Sequence, residues 1–112
     1  MEDFKVKTFT VNNKEYKAKP FDFNLVCDLE DMGISMREMN KKQMATMRAY
    51  FALCAGMSNE QAGKEMEAHV IAGGNFEEIT TALNEEMDKS DFFQALIKTS
   101  EEENTENQRE EK

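Results

Sequence analysis

Between residues 5 and 19 apolar and polar positions alternate, with Val6, Thr8, Phe9, Thr10, Val11, Tyr16 and Ala18 supplying strand-type residues around Asn12-Asn13. β-Branched and aromatic residues suit a pleated, half-buried surface, and asparagine tolerates the positive φ of a two-residue hairpin turn. The pattern predicts an antiparallel hairpin in which Val11 faces Lys14, Phe9 faces Tyr16 and Lys7 faces Ala18. A lone two-stranded ribbon is marginal in water, so the face carrying Phe9 and Tyr16 needs helical cover. Pro20, with no N–H to give to a ladder, ends the second strand.

Beyond Pro20 the apolar spacing becomes helical. Asp22 is placed to cap a first helix over residues 23–32, with Leu25, Val26, Leu29 and Met32 as its stripe and Gly33 as a left-handed terminus. A second helix over residues 40–55 carries Met44, Met47, Phe51 and Cys54, with Ala45, Ala49 and Ala52 on a neighbouring face and Gly56 at its end. Small alanines beside that stripe allow another helix to approach closely. Ser58 and Gln61 have the spacing of a capping box, opening a third helix through Ala62, Met66, Val70 and Ile71 as far as Gly73-Gly74.

Asn75 and Glu78 repeat the start signal for a fourth helix, with Phe76, Ile79, Leu83 and Met87 on one side and Glu77, Glu78, Glu85 and Glu86 elsewhere. Ser90 opens a short fifth with Phe92, Phe93, Leu96 and Ile97. The expected fold is α+β and mostly α: an N-terminal β-hairpin followed by about five short helices, in one domain covering residues 1–100. Residues 101–112 contain no apolar side chain. They cannot offset the roughly 1 to 2 kcal/mol of backbone entropy that ordering each residue costs, and are expected to form a disordered acidic tail.

Composition narrows the partners. The chain carries 14 basic and 23 acidic residues, a net charge of −9, which repels phosphate backbones and anionic lipid. Neither nucleic acid nor a membrane is expected as a partner, since no stretch reaches the roughly 20 apolar residues that span a bilayer. Met1-Glu2-Asp3-Phe4 does not resemble the start of a secretory signal, so the expected location is the cytoplasm. With 9 methionines, 8 phenylalanines and no tryptophan, the apolar content consists largely of thioethers and phenyl rings. Methionine fills irregular gaps in cores and also lines adaptable binding surfaces.

Catalytic patterns are not found, and no enzyme is expected. Cys27 and Cys54 are isolated in apolar helical surroundings, which reads as two buried reduced thiols, and with His69 they match no zinc spacing. No metal or other cofactor is expected. Asp28-Leu29-Glu30-Asp31, Glu77-Glu78 and Glu85-Glu86 read as helix surface rather than paired acid and base, and Gly73-Gly74-Asn75 lacks the lysine of a phosphate loop. The third helix offers Glu60, Glu65 and Glu67, which argues against a recognition helix entering a DNA groove.

Taken in order, the hairpin Phe9-Thr10-Val11-Asn12-Asn13-Lys14-Glu15-Tyr16, the first helix ending before Gly33, the Met- and Ala-rich second helix, Asn75-Phe76-Glu77-Glu78-Ile79 through Ala82-Leu83, and Ser90-Asp91-Phe92-Phe93-Gln94-Ala95-Leu96 are similar to a known pattern. The chain resembles the tail assembly chaperones of long-tailed bacteriophages and of prophages in Gram-positive bacteria. The resemblance implies a protein that coats the aggregation-prone tape-measure protein during tail assembly and is absent from the mature virion. It also implies a longer, frameshifted form that recruits the major tail protein, and self-association into a homo-oligomer is consistent with coating a filament. It does not assign the residues that grip the client. On chemistry, Phe92, Phe93, Leu96 and Ile97 are the first candidates for an exposed or exchangeable patch, and Met36 and Met39 the second. Two other readings stay open: a small acidic phage protein that inhibits a host protein by mimicking nucleic acid, and a minor virion structural subunit.

Truncation after Ser100 should leave the thermal midpoint nearly unchanged, because the removed segment has nothing to bury. A fall of many degrees on a calorimetric scan would show instead that the tail docks.

Overall fold

The computed structural model describes residues 7–98; the expected acidic tail lies outside the described residues, as does Val6. Strands β1 (Thr8–Val11) and β2 (Lys14–Lys17) pair antiparallel, with Phe9 opposite Tyr16 and Val11 opposite Lys14. Asn12 and Asn13 take φ of 53° and 68°, the left-handed pair that a two-residue turn of matching twist demands. The Ala18 N–H donates to the Lys7 carbonyl at 2.8 Å, completing the expected register.

Five helices follow, with a 3-10 turn (Met36–Glu38) after the first of them: α1 (Phe23–Asp31), α2 (Gln43–Ala55), α3 (Asn59–Ile71), α4 (Glu77–Lys89) and α5 over residues 91–98. The fold is thus α+β and mostly α. The Asp22 carboxylate accepts the Leu25 N–H at 2.9 Å and starts α1, which buries Leu25, Val26 and Leu29. Gly33 follows at φ +92°, a conformation that glycine adopts without steric cost.

The second helix starts later than expected. Lys42 stands at its N-cap with no side-chain bond, and the preceding residues bend through the 3-10 turn, where the Glu38 carboxylate reaches the Ser35 N–H and pairs with Lys42. That N–H, together with the Lys42 ammonium, holds the Glu38 carboxyl below its ordinary range. Its buried face differs too. Thr46, Ala49, Tyr50, Phe51 and Ala52 are buried, whereas Met44, expected in the stripe, is 66 % exposed. Thr46 is tolerated there because its hydroxyl donates to the Lys42 carbonyl at 2.8 Å, leaving the methyl group to pack. The Tyr50 hydroxyl donates to the Lys19 carbonyl at 2.7 Å, tying the end of the hairpin to α2, and burial pushes this phenol far above its usual pKa.

Three rings join hairpin and helix. Tyr16 meets Phe51 edge to face at 4.9 Å, and Phe9 lies 6.0 Å from Tyr16 and 6.1 Å from Phe51. Such pairs add about 0.5 to 1.5 kcal/mol each beyond the area they bury.

Helix α3 begins as expected at Ser58, whose hydroxyl accepts the Gln61 N–H at 3.1 Å, and it buries Ala62 and Met66. Its last turn does not continue the stripe: Val70 and Ile71 are exposed. In their place His69 organises the end of the helix. The Asn12 N–H donates to His69 Nδ1 at 2.9 Å, and the remaining ring nitrogen, Nε2, lies 2.8 Å from the Asn75 carbonyl. With Nδ1 accepting from Asn12 and Nε2 facing the Asn75 carbonyl, the ring bridges the hairpin turn and the α3–α4 loop. The Asn12 side chain adds a 2.9 Å bond to Glu65.

Helix α4 also departs from its expected cap. Asn75 accepts the Glu77 N–H at 3.0 Å, but Glu78 reaches across to accept the Thr10 N–H of β1 at 2.8 Å. Ile79, Ala82 and Leu83 form the buried side, joined by Glu86, which the sequence pattern assigned to the surface. Glu86 is buried with its carboxylate 3.0 Å from Lys89, the pairing that makes a buried charge tolerable. Cys27 and Cys54 are free and only half-buried, and burial raises the Cys54 thiol pKa. No helix among the described residues is long and apolar enough to cross a membrane.

Phe51→Ala and Leu83→Ala should each cost about 2 to 5 kcal/mol, whereas Met44→Ala should stay within about 0.5 kcal/mol, as read from denaturant melts. Comparable losses at Met44 and Phe51 would show that the faces of α2 are misassigned. A Cβ on Gly74 would come within 2.8 Å of three His69 ring atoms, so Gly74→Ala must displace the ring and should cost about 1 to 3 kcal/mol. In a His69→Ala background the same change should cost little; an additive double mutant would show that the ring is not what it meets.

Candidate functional site

The Ser90 hydroxyl starts the last helix by accepting the Phe93 N–H at 2.9 Å, and it also donates to the Phe21 carbonyl. Residues at i and i+4 share a helix face, so α5 presents two apolar pairs: Phe93 with Ile97, and Phe92 with Leu96. Phe93 is buried, with its ring edge to face with Phe21 at 4.6 Å. It packs in the core, so of the expected exposed or exchangeable patch it is not an exposed member. Phe92 is half-buried against Phe23 at 5.6 Å, and Phe23 itself is 61 % exposed. Leu96 is half-buried as well.

The Phe93 and Ile97 side of α5 borders a groove of about 580 Å³. Met36 and Met39, on the 3-10 turn and just after it, line the same groove. The structure thus brings together four of the six residues selected from the sequence, and it places Phe92 and Leu96 outside the groove lining.

The remaining walls come from α2 and α4. Helix α2 contributes Gln43, Thr46 and Met47, and α4 contributes Thr80, Leu83, Asn84 and Met87. Asn40 completes the lining. The Thr80 hydroxyl donates to the Met47 sulfur at 3.2 Å, which joins the two helices at the groove. Met47 and Met87 were read from the sequence only as members of helical stripes. No local signal sets them apart from the other apolar residues of those stripes.

The chemistry of the lining is uniform. Met36, Met39, Met47 and Met87 supply thioethers, Leu83, Phe93 and Ile97 supply hydrocarbon, and the polar groups are amides and hydroxyls. None of the lining side chains is ionisable, in a chain of net charge −9. The groove has no proton-transfer group of its own, and its volume lies within the range of about 300 to 1,000 Å³ typical of ligand pockets. Two smaller clefts differ in this respect: one of about 250 Å³ beside Lys7, Glu77 and Glu78, and one of about 180 Å³ beside Lys19, Asp22 and Asp28. Among the described residues no group of three or more His, Cys, Asp or Glu side chains could hold a metal ion.

No family model matches the chain, and neither a curated protein nor a solved structure matches it significantly.

Proposed function

We propose that the protein is a phage tail assembly chaperone whose client is the tape-measure protein, gripped through the methionine-lined groove. The observation that carries this reading is the groove itself: four thioethers and three hydrocarbon side chains, without a charged group, set in a strongly acidic chain. Amphipathic helices bind by laying their apolar face into such a groove, anchored at positions i, i+3, i+4 and i+7. Methionine suits a client that presents many different local sequences, because an unbranched thioether repacks around each of them at low cost. The acidic exterior keeps the loaded complex apart from its neighbours by like-charge repulsion.

In this reading the protein acts in the host cytoplasm, leaves before the virion is complete, and works beside a longer frameshifted form that recruits the major tail protein. The groove could engage only a few turns of a helix at once, so a long client requires many copies along its length.

Co-expression with the tape-measure protein of the same genome should keep that client in the soluble fraction. Met39→Glu and Met87→Glu alter half-buried groove residues and should leave the circular dichroism spectrum intact. Each should cut the recovered client about tenfold, the change that corresponds to about 1.4 kcal/mol of lost contact. Failure of the wild-type chain to co-purify with or solubilise the client would sink the chaperone reading, and tight low-salt binding to a basic DNA-binding protein would favour nucleic-acid mimicry instead.

A further inference from the structure

The two edges of the hairpin are treated differently. Hydrogen-bonded pairs alternate along an antiparallel ladder. Lys7 with Ala18 is one such pair, so Phe9 with Tyr16 and Val11 with Lys14 are the others. The intervening main-chain groups point outward. On the β1 side the outward N–H of Thr10 is taken by Glu78 and that of Asn12, in the turn, by His69, which bring α4 and α3 against that edge. On β2 the outward groups belong to Glu15 and Lys17, and among the described residues no hydrogen bond reaches the main chain of either. Both residues are exposed.

An unpaired edge is a template for another strand, and proteins commonly blunt it with lysine. Here the order Glu15, Tyr16, Lys17 has a further property. In an antiparallel pairing centred on Tyr16, Glu15 lies opposite Lys17 of a second copy, and Lys17 opposite its Glu15. All the outward N–H and C=O groups of the two residues are then satisfied, both charge pairs are attractive, and the half-buried Tyr16 rings meet at the centre. A two-residue register shift moves the two-fold to Glu15 or Lys17, where it sets Glu15 against Glu15 or Lys17 against Lys17. The charges that would repel an unrelated strand therefore select this one.

We propose that β2 is a self-recognition edge through which two copies of the chain join their hairpins into a continuous four-stranded antiparallel sheet about a two-fold axis. The contact is isologous, as expected for a symmetric dimer. It uses none of the groove residues and stands independently of the client assignment, so its failure would leave the chaperone reading intact.

Sedimentation equilibrium on the full chain should reveal a monomer–dimer equilibrium. Glu15→Lys and Lys17→Glu each turn both attractive cross-strand pairs into repulsive ones, and each alone should weaken the dimer about tenfold or more. An equimolar mixture of the two variants should recover it, because the doubly basic strand of one then faces the doubly acidic strand of the other. Lys17→Pro removes an outward N–H without touching the hairpin's own ladder, and should abolish the dimer with an unchanged circular dichroism spectrum. A wild-type chain that stays monomeric up to about 1 mM would overturn the proposal. So would a dimer indifferent to both charge changes, or a mixture of the two variants that fails to re-form it.

Discussion

A two-stranded ribbon cannot cover its own apolar face or satisfy its own outer edges, and the rest of this fold is arranged around that deficit. Phe9 and Tyr16 rest on Phe51, which fixes α2 beneath the hairpin. The β1 edge presents N–H groups that need acceptors, and the acceptors are Glu78 from α4 and His69 from α3. Each bond ties an edge group of the hairpin to a helix, so together they set where the third and fourth helices lie against it. The groove is a consequence. With α4 held against the hairpin and α2 beneath it, the space that remains beside α2 and α4 is closed by the 3-10 turn and by α5.

Much of this framework is legible in the residues. The hairpin register follows from the two asparagines and the period of two, since a one-residue slip would turn Phe9 and Val11 outward. Asp22, Ser58 and Ser90 mark helix starts by a local bond whose geometry depends on spacing alone. The faces of α2 were not legible for a definite reason: residues 49–55 are all apolar or aromatic, so no period distinguishes one side, and the choice between Met44 and Thr46 is made by neighbouring elements. Glu78 and His69 were unreadable for a related reason. Their partners lie 68 and 57 residues away, and a local rule can see only the cap that Glu78 might have made to its own helix. Glu86 looks like surface until Lys89 is placed beside it.

The groove was half legible. Met36 and Met39 could be chosen for their chemistry and position, and Phe93 and Ile97 for their place in a short apolar helix, but nothing local joins segments more than fifty residues apart. Phe92 and Phe93, chosen as one patch, part company because adjacent helical residues diverge by about 100°. One ring went to Phe21 in the core and the other to Phe23 at the surface.

That divergence gives α5 a particular position among the groove walls. Phe21 lies between the hairpin and α1 and Phe23 opens α1, and together with the Ser90 bond to the Phe21 carbonyl they fasten α5 at its N-terminal end. Farther along, the Gln94 amide donates to the Met87 carbonyl at 2.9 Å, and Ile97 stands at the groove. The helix is thus anchored by rings at its N-terminal end, with the Gln94 bond to α4 and the Ile97 side chain at the groove farther along. The Thr80 to Met47 bond in turn links α2 to α4, so the walls that α5 faces are held together by a contact of their own.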